Sequence, residues 1–302
     1  MAAKEAAAPR LPINDDDSAG YQPGDIDMTG RPWPELPEPS VPARPPQAVI
    51  IALCNQKGGV GKTTSAINLG AALVETGRKV LLVDFDPQGS LSIGLGINPH
   101  TLARSIYDLL IPRGSIDAKQ VIVHTAIKNL DILPANIDLS AAEVQLVGEV
   151  AREQMLTRVL APLSKKFDII MIDCAPSLGL LTINALTAAD FVVVPLECEF
   201  FALRGVALLT DTIAKVQERL NSDLVMLGVL PTMFDYRTLH SREVLERVVE
   251  AFGDTVFHSV IRRTVKFPET TVAGEPITTY ASGSSGAESY RSLAREVLAR
   301  LP

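Results

Sequence analysis

The sequence predicts an α/β fold, a doubly wound and mostly parallel sheet with helices on both faces, behind an N-terminal tail expected to be disordered. Three observations predict it. From residue 48 onward short uninterrupted apolar runs alternate with stretches of helical periodicity, the pattern of strands buried on both faces. The first of those runs feeds a glycine-rich loop that opens a helix. Residues 1–47, by contrast, are rich in Pro, Ala and Asp and bury too little apolar surface to offset their conformational entropy.

Taken in order, the tail 1–47 comes first. Its run Pro32-Trp33-Pro34-Glu35-Leu36-Pro37 is a candidate for docking in extended form, although the composition favours a solvated segment. At Ala48 the texture changes. Val49–Leu53 reads as a buried strand, Thr63–Thr76 as a helix closed by Gly77, and Val80–Val83 as a second strand. The alternation resumes with a strand over Phe167–Ile172, a helix over Gly179–Ala188 and a strand over Phe191–Pro195. A long helix over Phe201–Leu220, a strand over Leu224–Leu230 and a helix over Ser241–Phe252 follow. The stretch from about 100 to 150 shows no regular period. There is no internal repeat, and one domain spanning 48–302 is the simplest organisation, although the length alone allows two.

Bulk properties narrow the function. The longest apolar stretches fall far short of the roughly 20 residues that cross a bilayer, and no charged-then-apolar leader opens the chain. Cys54, Cys174 and Cys198 are odd in number and widely spaced. They read as small buried hydrophobes in a reducing cytoplasm, not as a disulfide or metal framework. The net charge is −7, which argues against a polyanionic partner. Yet residues 1–47 hold eight acidic and four basic side chains, so the remainder carries only −3 and leaves room for a local basic face.

Chemistry concentrates in Gly58-Gly59-Val60-Gly61-Lys62-Thr63-Thr64, placed after a strand and before a helix. Glycines let backbone N–H groups curl around phosphate oxygens, and the helix N-terminus adds partial positive charge. Lys62 is positioned for the β- and γ-phosphates, the Thr63 hydroxyl for Mg²⁺ and Thr64 for the α-phosphate. Two further strands end in carboxylates. Val80–Val83 leads into Asp84-Phe85-Asp86, and Ile169-Ile170-Met171-Ile172 leads into Asp173. A strand-terminal Asp is often only a helix cap. Three such strand ends at one carboxyl edge of a sheet instead make a ligand crevice.

The segment Asn55-Gln56-Lys57-Gly58-Gly59-Val60-Gly61-Lys62-Thr63-Thr64 resembles the deviant Walker A loop of the ParA/Soj partitioning ATPases, relatives of MinD, within the phosphate-loop NTPases. The match runs from about residue 48 to the C-terminus. It extends to Asp84-Phe85-Asp86-Pro87-Gln88-Gly89, to Pro195–Leu203 after a core strand and to Leu230–Thr238. The resemblance implies ATP and Mg²⁺ as cofactors, a slow hydrolysis that a partner stimulates, and an ATP-bound homodimer in which Lys57 reaches the other subunit's nucleotide. It further implies that Asp86 orients the attacking water, and that Asp84 and Asp173 serve the metal with Thr63. Thr232 and Met233 would neighbour the adenine. The family's Pro-Arg-Asn-Val-Arg stands here as Arg262-Arg263-Thr264-Val265-Lys266, so the proline and asparagine near the base are replaced.

Non-specific DNA binding is also implied, through Arg237 and Lys266 with Arg262 and Arg263 beside them. Between Arg237 and Lys266 basic residues outnumber acidic ones by six to four, which alone reads as an ordinary solvated face. The expected process is chromosome or plasmid partitioning with a ParB-type partner, in the cytoplasm and on the nucleoid. Two alternatives accompany it, a nucleotide-state regulator of replication initiation and a MinD-like membrane-positioning ATPase. The C-terminal stripe Tyr290, Leu293, Ala294, Val297, Leu298 and Leu301 is more simply explained by packing onto the sheet than by lipid, so stable membrane association is not expected.

Overall fold

A computed structural model describes residues 21–39, 47–111, 116–199 and 202–302. The strands are β1 (Val49–Leu53), β2 (Val80–Phe85), β3 (Val123–His124), β4 (Leu130–Leu133), β5 (Ile169–Cys174), β6 (Phe191–Glu197) and β7 (Val225–Thr232). The first helices are α1 (Lys62–Glu75), α2 (Ser90–Gly94), α3 (Ile106–Leu110), α4 (Leu139–Gln145), α5 (Met155–Leu160) and α6 (Leu180–Ala188). They continue with α7 (Ala202–Arg219), α8 (Leu239–Phe252), α9 (Lys266–Ala273), α10 (Ile277–Tyr280) and α11 (Ser285–Arg300).

The sheet runs β3-β4-β2-β5-β1-β6-β7 and is parallel except for the short edge strand β3. β2 and β5 are buried at every position, which is why they read as unbroken Val, Ile and Leu. One hydrophobic core packs side chains of α3 to α8 on one face, and a second packs α1, α2, α10 and α11 on the other. That is the doubly wound arrangement. Among the described residues no helix is long and apolar enough to cross a membrane.

Register, more than composition, builds the crevice. β5 lies between β1 and β2, with Leu53 paired to Asp173 and Asp84 paired to the same Asp173. The phosphate loop and both carboxylates therefore leave the sheet side by side at its carboxyl edge.

Three parts differ from the sequence expectation. The irregular stretch holds two strands: β4 beside β2, and β3 antiparallel to β4. Asp131 inside β4 and the two-residue length of β3 leave no period to detect. Strand ends run two residues longer at β2, β5, β6 and β7 than the apolar runs indicate, because polar Asp, Glu and Thr end the buried strands. The third concerns the expected tail 1–47, within which Asp27, Thr29 and Trp33 are buried. Trp33 is only 8% exposed and Asp27 1% exposed. A tryptophan and an arginine with partners to find outweigh a composition that is otherwise poor in core formers. The rest of that expected tail, 1–20 and 40–46, lies outside the described residues, as do Phe200 and Phe201.

Candidate functional site

The loop between β1 and α1 is pinned at both ends before any ligand is considered. Asn55 donates its amide to the Pro195 carbonyl at 2.7 Å and accepts the Lys57 backbone N–H at 3.0 Å. Thr232, at the end of β7, donates its hydroxyl to the Val60 carbonyl at 2.9 Å. Gly59 and Gly61 hold φ of 77° and 83°, backbone that side-chain-bearing residues rarely adopt. Gly61 directly precedes α1, whose first turn carries Lys62, Thr63 and Thr64.

Around this loop lies a cleft of about 390 Å³, lined by Gly58, Gly59, Gly61, Lys62, Thr63, Thr64, Asp86 and Met233. Pro176 and, from α9, Thr270 and Thr271 also line it, with Glu275. The size suits a small-molecule ligand. Thr232 is not on this wall; it is buried and props the loop. Its neighbour Met233 does line the cleft, with φ at 50°, a left-handed conformation that is strained for this residue type. Sequence reasoning missed the α9 residues and Glu275, which lie far along the chain in a segment with no motif of its own.

The electrostatics of the floor are unusual. Lys62 is buried, its ammonium bonded to the Lys57 carbonyl at 3.1 Å, and burial holds it below the ordinary lysine range. Asp173 is fully buried with neither carboxylate oxygen hydrogen-bonded. Burial, then the neighbouring Asp84, push it up to about 8; the Thr63 hydroxyl pulls the other way without meeting hydrogen-bond geometry. Asp84 is pushed by burial to about 6. It is engaged in the fold, accepting the Ser92 N–H at 2.8 Å and the Ser92 hydroxyl at 2.7 Å. Asp86 is half-buried on the cleft wall and accepts the Gln88 N–H at 2.9 Å.

An orphaned buried carboxylate beside a buried ammonium is a poor packing solution. It becomes a good one when a hard cation and phosphate oxygens fill the gap. Among the described residues no group of three or more His, Cys, Asp or Glu is placed to hold a metal.

Lys57 does not join this wall. Its ammonium turns outward to Glu197 at 2.8 Å and Glu199 at 2.7 Å. Burial pulls the amine down, but the two carboxylates outweigh it and leave it raised. Arg263 bonds the other oxygen of Glu197 at 3.2 Å. Arg262 lies over the Tyr236 ring at 4.4 Å, next to Arg237, which pairs with Asp235 through two side-chain bonds of 2.9 and 2.8 Å. Lys266 pairs with Glu269 at 3.0 Å. The four basic residues thus come from two neighbouring segments joined where Phe234 bridges to Arg262, and none of the four lines the cleft. Cys54, just past β1, and Cys174, at the end of β5, have their sulfurs 2.8 Å apart, and Cys198 is buried as well.

Comparisons with known proteins agree with this geometry. Residues 48–226 match the family model described as AAA domain. An uncharacterized protein of Mycobacterium tuberculosis is 59% identical over 276 residues, covering 91% of this chain and 86% of that one. That match is longer than 48–302 and so reaches into the N-terminal segment. The chromosome-partitioning ATPase Soj of Treponema pallidum is 50% identical over 252 residues, 83% of this chain and 97% of that one. Among solved structures, a Mycobacterium smegmatis protein titled cobyrinic acid a,c-diamide synthase, with bound ADP and magnesium, superposes with a TM-score of 0.72 at 44% identity, covering 82% of this chain and 92% of that one. With the phosphate loop, the strand-end carboxylates and identity of this extent, the chain belongs to the ParA/Soj family of chromosome-partitioning ATPases.

Proposed function

We propose that the chain is an ATP- and Mg²⁺-dependent dimerising ATPase that binds DNA without sequence preference and acts in chromosome or plasmid partitioning with a ParB-type partner. One observation carries the reading furthest: Lys57 begins the phosphate loop yet turns its ammonium out of the cleft, onto Glu197 and Glu199. A lysine that is not needed for its own loop, held on a half-exposed rim, is suited to the phosphates of a second subunit.

Within one subunit the residues divide the work. Gly58 to Gly61 and Lys62 hold the phosphate chain, and Thr64 and Met233 flank the nucleotide. Thr63 and Asp173 would hold Mg²⁺, with Asp84 behind them, and the ion would neutralise charge on the β- and γ-oxygens. Asp86, on the cleft wall, orients the attacking water; positioning of this kind is most of what a protein contributes to phosphoryl transfer. Thr232 supports the loop and leaves the adenine contact to Met233.

On the DNA side, Arg237, Arg262, Arg263 and Lys266 form the contact face. Each has an intramolecular partner, so phosphate must compete with carboxylates at Arg237, Arg263 and Lys266 and with the Tyr236 ring at Arg262, and binding should be weak and salt-sensitive. The apolar stripe of α11 supports a nucleoid location over a lipid one, because Tyr290, Leu293, Ala294 and Val297 are buried in the domain.

The test is Lys57→Ala. ATP should still bind, while ATP-dependent dimerisation, read by light scattering, should fall by at least about tenfold, the scale of losing one charge-assisted contact. Undiminished dimerisation in the variant would sink the reading.

A further inference from the structure

The N-terminal segment is a folded clasp. Residues 22–33 close on themselves: Gly24 donates its N–H to the Trp33 carbonyl at 3.0 Å and Trp33 to the Asp25 carbonyl at 2.7 Å. Asp27 anchors the turn within, accepting the Thr29 N–H at 2.8 Å and the Thr29 hydroxyl at 2.6 Å. The other Asp27 oxygen meets Nδ1 of His258 at 2.6 Å. Arg31 donates to the Gly253 and Val256 carbonyls at 3.0 and 2.8 Å. Trp33 sets its edge against the His258 ring, with centroids 5.9 Å apart.

Every one of these anchors falls on one stretch, 253–258. That stretch continues as an irregular strip along β7: Phe257 donates to the Val229 carbonyl at 2.9 Å, and Ile261 to the Pro231 carbonyl at 2.9 Å. The strip ends in Arg262 and Arg263. Arg263 reaches Glu197, and Glu197 holds Lys57. The far side of the strip is tied to α11, where Glu296 accepts the N–H groups of His258 and Ser259 at 2.8 and 3.0 Å. Removing the clasp would open the Gly253 carbonyl and an aromatic seat, while Arg300 still donates to the Val256 carbonyl at 3.1 Å and the Glu296 tie remains. Such a partial release suits tuning better than collapse.

We propose that residues 22–33 are a positioning element for the assembly face: by fastening 253–258 they fix the register of Arg262, Arg263 and the Glu197–Lys57 pair. The inference rests on the dimer reading above. It also separates this chain from the Treponema relative, whose match is too short to include both the domain and the segment.

The experiment uses the full-length chain with Asp27→Asn, Trp33→Ala and Trp33→Phe. Hydrogen exchange at 253–263 should rise in Asp27→Asn and Trp33→Ala. ATP affinity should stay within about twofold, while ATP-dependent dimerisation weakens about 2- to 30-fold, the range over which distant packing changes modulate coupling. Trp33→Phe, keeping a ring against His258, should recover most of the loss. Raised exchange with unchanged dimerisation overturns the clasp alone. So does a parallel loss of ATP affinity, which would mean general unfolding. A wild-type chain that stays monomeric with ATP overturns the dimer reading and this inference with it.

Discussion

Asp173 and Lys62 share the floor of the cleft, and each is held away from its ordinary ionisation range by burial. The consequence for stability has a definite sign. Folded Asp84 and Asp173 titrate at about 6 and about 8, against 3.8 for the free side chain, so the folded chain binds protons that the unfolded chain has released. Their contribution is fully present below the unfolded value and is lost as pH rises through about 6 and then about 8. Without nucleotide or Mg²⁺, the melting temperature should therefore fall as pH is raised across that window. Asp173→Asn should flatten the upper half of the slope, because a neutral amide has no proton to lose. A wild-type melting temperature that is flat or rising there would contradict the buried-carboxylate account. Bound cation should reverse the trend, since it favours the ionised form.

At the scale of elements, α1 carries the loop's lysine and threonines at one end and must be held against the sheet. α11 does part of this. Its Tyr290 is 1% exposed and shares a 3.2 Å hydrogen bond with Ser65 of α1, itself fully buried. Tyr290→Phe leaves a buried hydroxyl without that partner and should cost about 1–3 kcal/mol. The double variant Tyr290→Phe with Ser65→Ala should recover part of it, because both polar groups are then gone. Denaturant unfolding of the four proteins measures this, and full additivity would mean the bond contributes nothing. The stripe on α11 was legible as a packing face from its spacing alone. The seat it packs on was not, because α1 is more than two hundred residues away in the chain.

For the whole molecule the question is how a chain of net charge −7 meets a polyanion. The acidic excess lies largely before residue 48, whereas Arg237, Arg262, Arg263 and Lys266 come from two segments that β7 and the strip beside it bring together. ATP-dependent retention on non-specific DNA should be measurable at about 50 mM salt and drop by orders of magnitude by about 200 mM. Arg237→Glu should weaken it further and reduce the salt slope by about one to two. No retention of the wild type at low salt would remove DNA from the proposed function.

The sequence by itself determined the alternation of buried strands and helices, the phosphate loop and the two strand-ending carboxylates, because those are local signals: unbroken apolar runs, glycines before a Lys-Thr pair, an Asp after Ile-Ile-Met-Ile. It left β3 and β4 unread, since a two-residue edge strand and one with an Asp inside it carry no period. It named Thr232 together with Met233, and the fold adds that the Thr232 hydroxyl braces the Val60 carbonyl. The tertiary structure alone decided that β5 stands between β1 and β2, that Lys57 points away from its own cleft, and that Asp27, Arg31 and Trp33 are anchored on 253–258. Each of these depends on partners distant in the chain. Trp33 and Asp27 look solvated until His258 is beside them, because a buried aromatic or carboxylate is stabilised by its neighbours and not by its own composition.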